Sequence, residues 1–187
     1  VMATLAGLGP NPHDAESFKE DRHVELYYVP HTCALASHIA LEEAGGTYEA
    51  VRLSFATADQ RSPEFLALNP KGRVPALVTP RGVLTETPAI LAFIAQSFPA
   101  ARLAPLDDPF AFADLQAFNS YLCSTVHVAH AHGMRGYRWA DDPTAIAEMK
   151  RKVPEALEAA YEPIERQLRA KVNTIGSKCN WCHRTKV

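Results

Sequence analysis

Apolar positions along the chain change period from segment to segment. Over residues 1–23 they follow neither a helical nor a strand repeat, and Gly7, Gly9, Pro10 and Pro12 interrupt anything that starts. This stretch reads as a loose extension, or as sequence ahead of a true start at Val24. From Val24 the text becomes regular. VELYYV is short, aromatic and β-branched and predicts a strand. After Pro30, Leu35, Ile39 and Leu41 fall at helical spacing before a glycine stop and predict a helix. TYEAVRL alternates as a second strand, SPEFLALNP is a short helical turn closed by Pro70, and VPALVT, PRG and VLTE read as a hairpin. Thr87, followed by Pro88, is expected to cap the helix PAILAFIAQSF, because proline in the first turn lacks only an N–H that has no intrahelical partner. The order is βαβ followed by ββα.

A proline- and aspartate-rich stretch, PAARLAPLDDP, then predicts a linker over 99–109. Beyond it the period is helical throughout. Phe112, Leu115, Phe118, Leu122, Val126 and Ala129 mark a helix of about six turns. A second long pattern over 143–171 contains Pro154 and Pro163, each expected to kink it or end a segment. From 171 to 187 the period stops. The pattern thus predicts an α/β domain over 24–98, and a partial all-α helical domain over 110–170 with an irregular tail behind it.

Composition narrows the partners. A chain of 187 residues is long enough for one ordinary domain or two small ones with an unaided core. Lys and Arg number 19 against 21 Asp and Glu, so there is no electrostatic footprint for nucleic acid or anionic lipid. No apolar run approaches the roughly 20 residues of a membrane span, and the start lacks a basic leader pattern. The expectation is a cytoplasmic protein in which Cys33, Cys123, Cys179 and Cys182 stay as thiols.

The position of Cys33 raises the chemical question. A sulfur in the first turn of a helix meets amides without intrahelical partners and the positive end of the helix dipole, and both favour a negatively charged sulfur. The alternative is a small buried apolar residue, which is what many free cysteines are. A second constellation lies in NPKGRVPALVTPRGVLTETPAI. Val74-Pro75 entering a strand suits a cis peptide and leaves the Val74 backbone open to an extended peptide. Glu86 and Thr87 at a helix mouth suit the ammonium and carboxylate of an amino acid, or are a capping sequence and nothing more.

Taken together, PHTC at a helix start, NPKGRVPAL and TETPAI opening a helix, followed by a helical unit, resemble the glutathione transferase family, most closely its bacterial beta class. The resemblance covers about residues 24–170. It implies a thioredoxin-like N-terminal domain followed by a helical domain. It also implies glutathione as co-substrate with no other cofactor, and a detoxifying transfer to a small electrophile or exchange with a disulfide. By the same resemblance Cys33 forms a mixed disulfide with glutathione, Val74 pairs with its backbone, and Glu86 and Thr87 hold its γ-glutamyl end. Ser124 and His127 stand where that class places polar residues near the sulfur, with His127 in the catalytic set. Homodimers are implied as well, with Phe110, Phe112 and Tyr121 in an apolar patch. The alternative is an inactive glutathione-binding or structural relic, since the further helices of the family have no counterpart here.

Two metal-like patterns are weighed lower. His127, His130 and His132 have no carboxylate or cysteine at ligand spacing, so no metal site is expected. Cys179-Asn180-Trp181-Cys182-His183 matches a haem-attachment pattern without a domain to bury a haem, and is expected to be non-functional.

Overall fold

Four short strands, β1 (Glu25–Tyr28), β2 (Glu49–Arg52), β3 (Ala76–Thr79) and β4 (Gly82–Thr85), form one mixed sheet in the order β2-β1-β3-β4. The structure, a computed structural model, describes residues 24–175, with side chains as far as Arg169. The expectations for residues 1–23 and for the CNWCH segment lie outside the described residues. β1 runs parallel to β2, with Leu26 opposite Ala50, and antiparallel to β3, with Leu26 opposite Leu77; β3 runs antiparallel to β4.

Alternate residues of a strand face opposite sides, and this decides what covers the sheet. Leu26 and Leu77 are fully buried with Val24, and against them pack Leu41 of α1 (Ala34–Ala44) and Ile90 and Ile94 of α3 (Thr87–Ser97). Each such side chain contributes about 1.5–3 kcal/mol when taken out of water. Tyr27, one residue along, points the other way; its ring lies 5.6 Å from that of Phe65 on α2 (Pro63–Leu68). The Ser62 hydroxyl caps α2 by accepting the Phe65 N–H. α1 stops where predicted, at Gly45 with φ 68°, whose N–H and that of Gly46 take the last carbonyls. This thioredoxin-like sheet with its helices matches the fold class expected for 24–98.

The chain divides into two compact units, between Gln116 and Ala117. That division falls inside α4 (Pro109–Tyr121), whose start is capped by the Asp108 carboxylate on the Phe110 and Ala111 amides. A π-turn over Leu122–Val126, α5 (His127–Arg135), a 3-10 turn over Gly136–Arg138 and α6 (Pro143–Ile175) complete the order. Two expectations need correction. The six-turn helix is not continuous α, because the π-turn inserts one residue into its period. Of the two outcomes expected at Pro154 and Pro163, a kink or the end of a segment, the second does not occur. Both lie inside α6, which continues past Lys171 to Ile175. Each proline removes one N–H, facing the carbonyls of Lys150 and Ala159, and the rest of the helix is rich in Ala, Glu, Lys, Arg and Leu, which favour the helical state. Among the described residues no helix is long and apolar enough to cross a membrane.

Candidate functional site

The register of the sheet brings the predicted residues of the first unit to one end. Tyr27 pairs with Ala76, and Ala76 with Thr85. The chain leaving β1, the chain entering β3 and the chain leaving β4 therefore emerge together, carrying Cys33, Val74 and Glu86-Thr87. Helices α1 and α3 also begin there, so two sets of first-turn amides and two positive dipole ends face the same region, an arrangement that favours anionic groups.

Cys33 occupies the cap position of α1 and is exposed, so the buried-filler alternative does not hold. Thr32 organises the entry: its hydroxyl donates to the Val29 carbonyl at 2.7 Å and accepts the Ala34 N–H at 3.3 Å. The Cys33 sulfur donates to the Val74 carbonyl at 3.6 Å, and Val74-Pro75 is a cis peptide, as the strand-entry proline suggested. Residues 41 positions apart in sequence are thus in contact.

At the mouth of α3 the structure corrects the cap. Glu86, not Thr87, holds the cap position, Thr87 is the first helical residue, and no side chain caps the helix from Glu86. Glu86 has φ 71° and ψ 120°, a backbone state that L residues rarely adopt. Its carboxylate is paired with Lys71, whose ammonium also donates to the Thr85 hydroxyl at 2.8 Å. Sequence reasoning assigned Lys71 no role. The signal was present in NPKG: the Asn69 side chain, 1% exposed, donates to the Arg73 carbonyl at 2.6 Å and accepts the Lys71 N–H at 3.2 Å. Gly72 closes that turn at φ 59°, where a Cβ would lie 2.9 Å from the Gln60 carbonyl. The turn aims Lys71 at the end of β4.

Ser124 and His127 belong to the second unit. Ser124 is exposed inside the π-turn, and His127 is half-buried at the first position of α5. The neighbouring histidines are engaged with aromatic rings: a His130 ring nitrogen lies 3.4 Å from the Tyr161 hydroxyl, and His132 meets Trp139 edge-on at 4.5 Å. Among the described residues no three His, Cys, Asp or Glu side chains are grouped to hold a metal ion.

Two tyrosines of the first unit are displaced from ordinary behaviour. Tyr27 is pushed up to about 12 by its hydrogen bond to Glu25, with burial adding to it. Burial, and then the Glu42 carboxylate that accepts its hydroxyl, push Tyr48 up as well.

Comparison with known proteins agrees with this geometry. The family described as "Glutathione S-transferase, N-terminal domain" matches residues 23–96. Glutathione S-transferase GstA of Escherichia coli O157:H7 is 31% identical over 140 residues, covering 73% of this chain and 69% of the relative. Glutathione S-transferase GST-4.5 of Xanthomonas campestris is 33% identical over 104 residues, covering 56% of this chain and 50% of the relative. Among solved structures, a glutathione transferase homologue from Sulfitobacter with bound glutathione superposes with a TM-score of 0.73 at 46% identity, covering 76% of this chain and 69% of that one. A bacterial beta class transferase from Sphingomonas chungbukensis does so with a TM-score of 0.65 at 34% identity, covering 77% and 69%. With its sheet order, its Cys33 end and these matches in agreement, the chain belongs to the glutathione S-transferase family.

Proposed function

We propose that the protein is a glutathione transferase working through Cys33, in which the tripeptide lies across the end of the sheet where Cys33, Val74, Glu86 and Thr87 emerge. The observation that carries this is the contact of the Cys33 sulfur with the Val74 carbonyl, which puts the thiol beside a backbone edge suited to an extended peptide. Glu86 takes the ammonium of the γ-glutamyl end, and the Thr87 hydroxyl and first-turn amides of α3 take its carboxylate. Lys71 joins this set, holding Glu86 in place. The family resemblance adds Ser124 as a glutathione-binding residue and His127 as a catalytic one. In the exchange step the Cys33 thiol gives its proton to solvent, and its sulfur attacks one sulfur of oxidised glutathione. A Cys33–glutathione disulfide forms and the other glutathione leaves as a thiolate. The acceptor is a small electrophile or disulfide. Glutathione is a substrate, and no further cofactor is called on. Cytoplasmic placement fits a chemistry that needs a reduced Cys33.

Intact-mass spectrometry after incubation with oxidised glutathione tests the reading, in a Cys179→Ser, Cys182→Ser background. One glutathione adduct is expected, reversible by reductant and absent in Cys33→Ala. Cys123 is also exposed, so exposure does not separate the two thiols; the helix start does. An unmodified Cys33 in folded protein would sink the assignment.

A binding-only protein is the second reading. Met134 and Tyr137 stand 85% and 63% exposed on the second unit, leaving apolar side chains without the cover that an acceptor pocket requires. Retention on immobilised glutathione without conjugation or disulfide reduction would favour it. We also propose a homodimer, supported by Phe110, an aromatic side chain 84% exposed at the start of α4.

A further inference from the structure

Tyr121 stands where two irregular helices of the second unit meet. Its hydroxyl donates to the Ala160 carbonyl of α6 at 2.8 Å, and the π-turn opens at the next residue. Each side of this contact has a local cause. Pro163 has no N–H to offer the Ala159 carbonyl, so the ladder of α6 is broken beside Ala160. Ala160 itself is only 4% exposed, and its carbonyl receives the tyrosine hydroxyl.

The π-turn follows from the angles. Successive α-helical residues are about 100° apart, so in an unbroken helix Val126 would point about 140° away from Tyr121, and Ala129 about 80°. A lag of one residue brings these to about 40° and 20°. Tyr121, Val126 and Ala129 then share one side of the helix. Val126 and Ala129 are buried, and Ala129 lines a groove with Met149 and Val153 of α6. The same lag leaves Cys123, Ser124 and Thr125 exposed on the outer side. An α-register would therefore break either the Tyr121 bond or the packing of Ala129.

We propose that Tyr121 is a positioning residue: its bond to Ala160 holds the π-turn in register, and that register sets the direction of Ser124 and His127. The inference rests on the role given to those two residues in the proposed function. Tyr121 touches neither substrate nor sulfur in this reading.

Tyr121→Phe removes one oxygen and keeps the ring. Amide hydrogen exchange over residues 122–127 is expected to speed about fivefold, the effect of one neutral hydrogen bond. With glutathione and bis(2-hydroxyethyl) disulfide as substrates, and rates referred to the folded fraction measured by circular dichroism, kcat is expected to fall severalfold while KM for glutathione is unchanged, a split that a smaller folded fraction cannot produce once it is corrected for. Unchanged exchange over 122–127 in Tyr121→Phe overturns the hold on the turn. Faster exchange with unchanged kcat overturns the positioning role. Absence of turnover in the unaltered protein, with Cys33 still forming its adduct, instead overturns the role of Ser124 and His127, and the inference falls with it.

Discussion

Replacing Glu86 separates backbone strain from ligand binding at one residue. Glu86 sits at φ 71° and ψ 120°, outside the regions open to L side chains, and such a residue stores roughly 1–3 kcal/mol. Glutamate to glycine releases that strain, and costs about 0.5–1 kcal/mol through the freedom that glycine gives the unfolded chain. The ion pair with Lys71 is lost too, but its partners are 48% and 61% exposed, and pairs so placed contribute about 0–1 kcal/mol. Glu86→Ala loses the same pair and keeps the strain. The glycine variant is therefore expected to be the more stable of the two by about 1 kcal/mol, a difference of about 2–4 °C in Tm for a chain of this size. At an ordinary helical position the order is reversed. In the proposed function both variants lose a charge-assisted hydrogen bond to the γ-glutamyl ammonium, about 1.5–3 kcal/mol, so titration calorimetry should show glutathione binding roughly 10- to 100-fold weaker. An alanine variant as stable as the glycine one would refute the strain argument. Unchanged glutathione affinity in both would remove Glu86 from the site.

Leu77→Ala opens a hole in the middle of β3 where the side chain is 0% exposed; a loss of about 2–5 kcal/mol is expected in urea unfolding, and a loss under 1 kcal/mol would mean that this cluster is not the core. Alkali should weaken the fold in a defined window. Tyr27 is raised in the folded state to about 12, so its contribution is complete below about pH 10 and is lost as pH climbs towards 12. Tyr48 shifts in the same direction. Denaturant midpoints at pH 9 and 11, with tyrosinate absorbance, check this; equal midpoints would contradict it. Light scattering at micromolar concentration should report a dimer, and Phe110→Asp should shift it towards monomer. A clean monomer in the unaltered protein would exclude the proposed pairing.

What the sequence determined by itself was local. Strand and helix periods over 24–98 placed β1 to β4 and α1 to α3 where the structure has them, because each element's pattern lies within a few neighbouring residues. The cysteine at the start of α1 and the Val74-Pro75 bend were legible for the same reason: a helix start and a strand-entry proline are written in adjacent residues. The rest needed contacts between distant residues. Lys71 acquires its meaning only when the Asn69–Gly72 turn carries it to the end of β4, beside Thr85 and Glu86. The left-handed backbone of Glu86 belongs to the junction of β4 with α3, and glutamate carries no sign of it. The six-turn pattern over 110–134 looked uniform because its apolar spacing is nearly helical. The one-residue lag at Leu122–Val126 was decided by Tyr121 reaching Ala160 while Ala129 packs beside Val153. The two prolines of α6 were read by their local cost, one lost hydrogen bond and one clash each. A helix of 33 residues, packed along α5, outweighs that cost, and only the tertiary structure shows the packing.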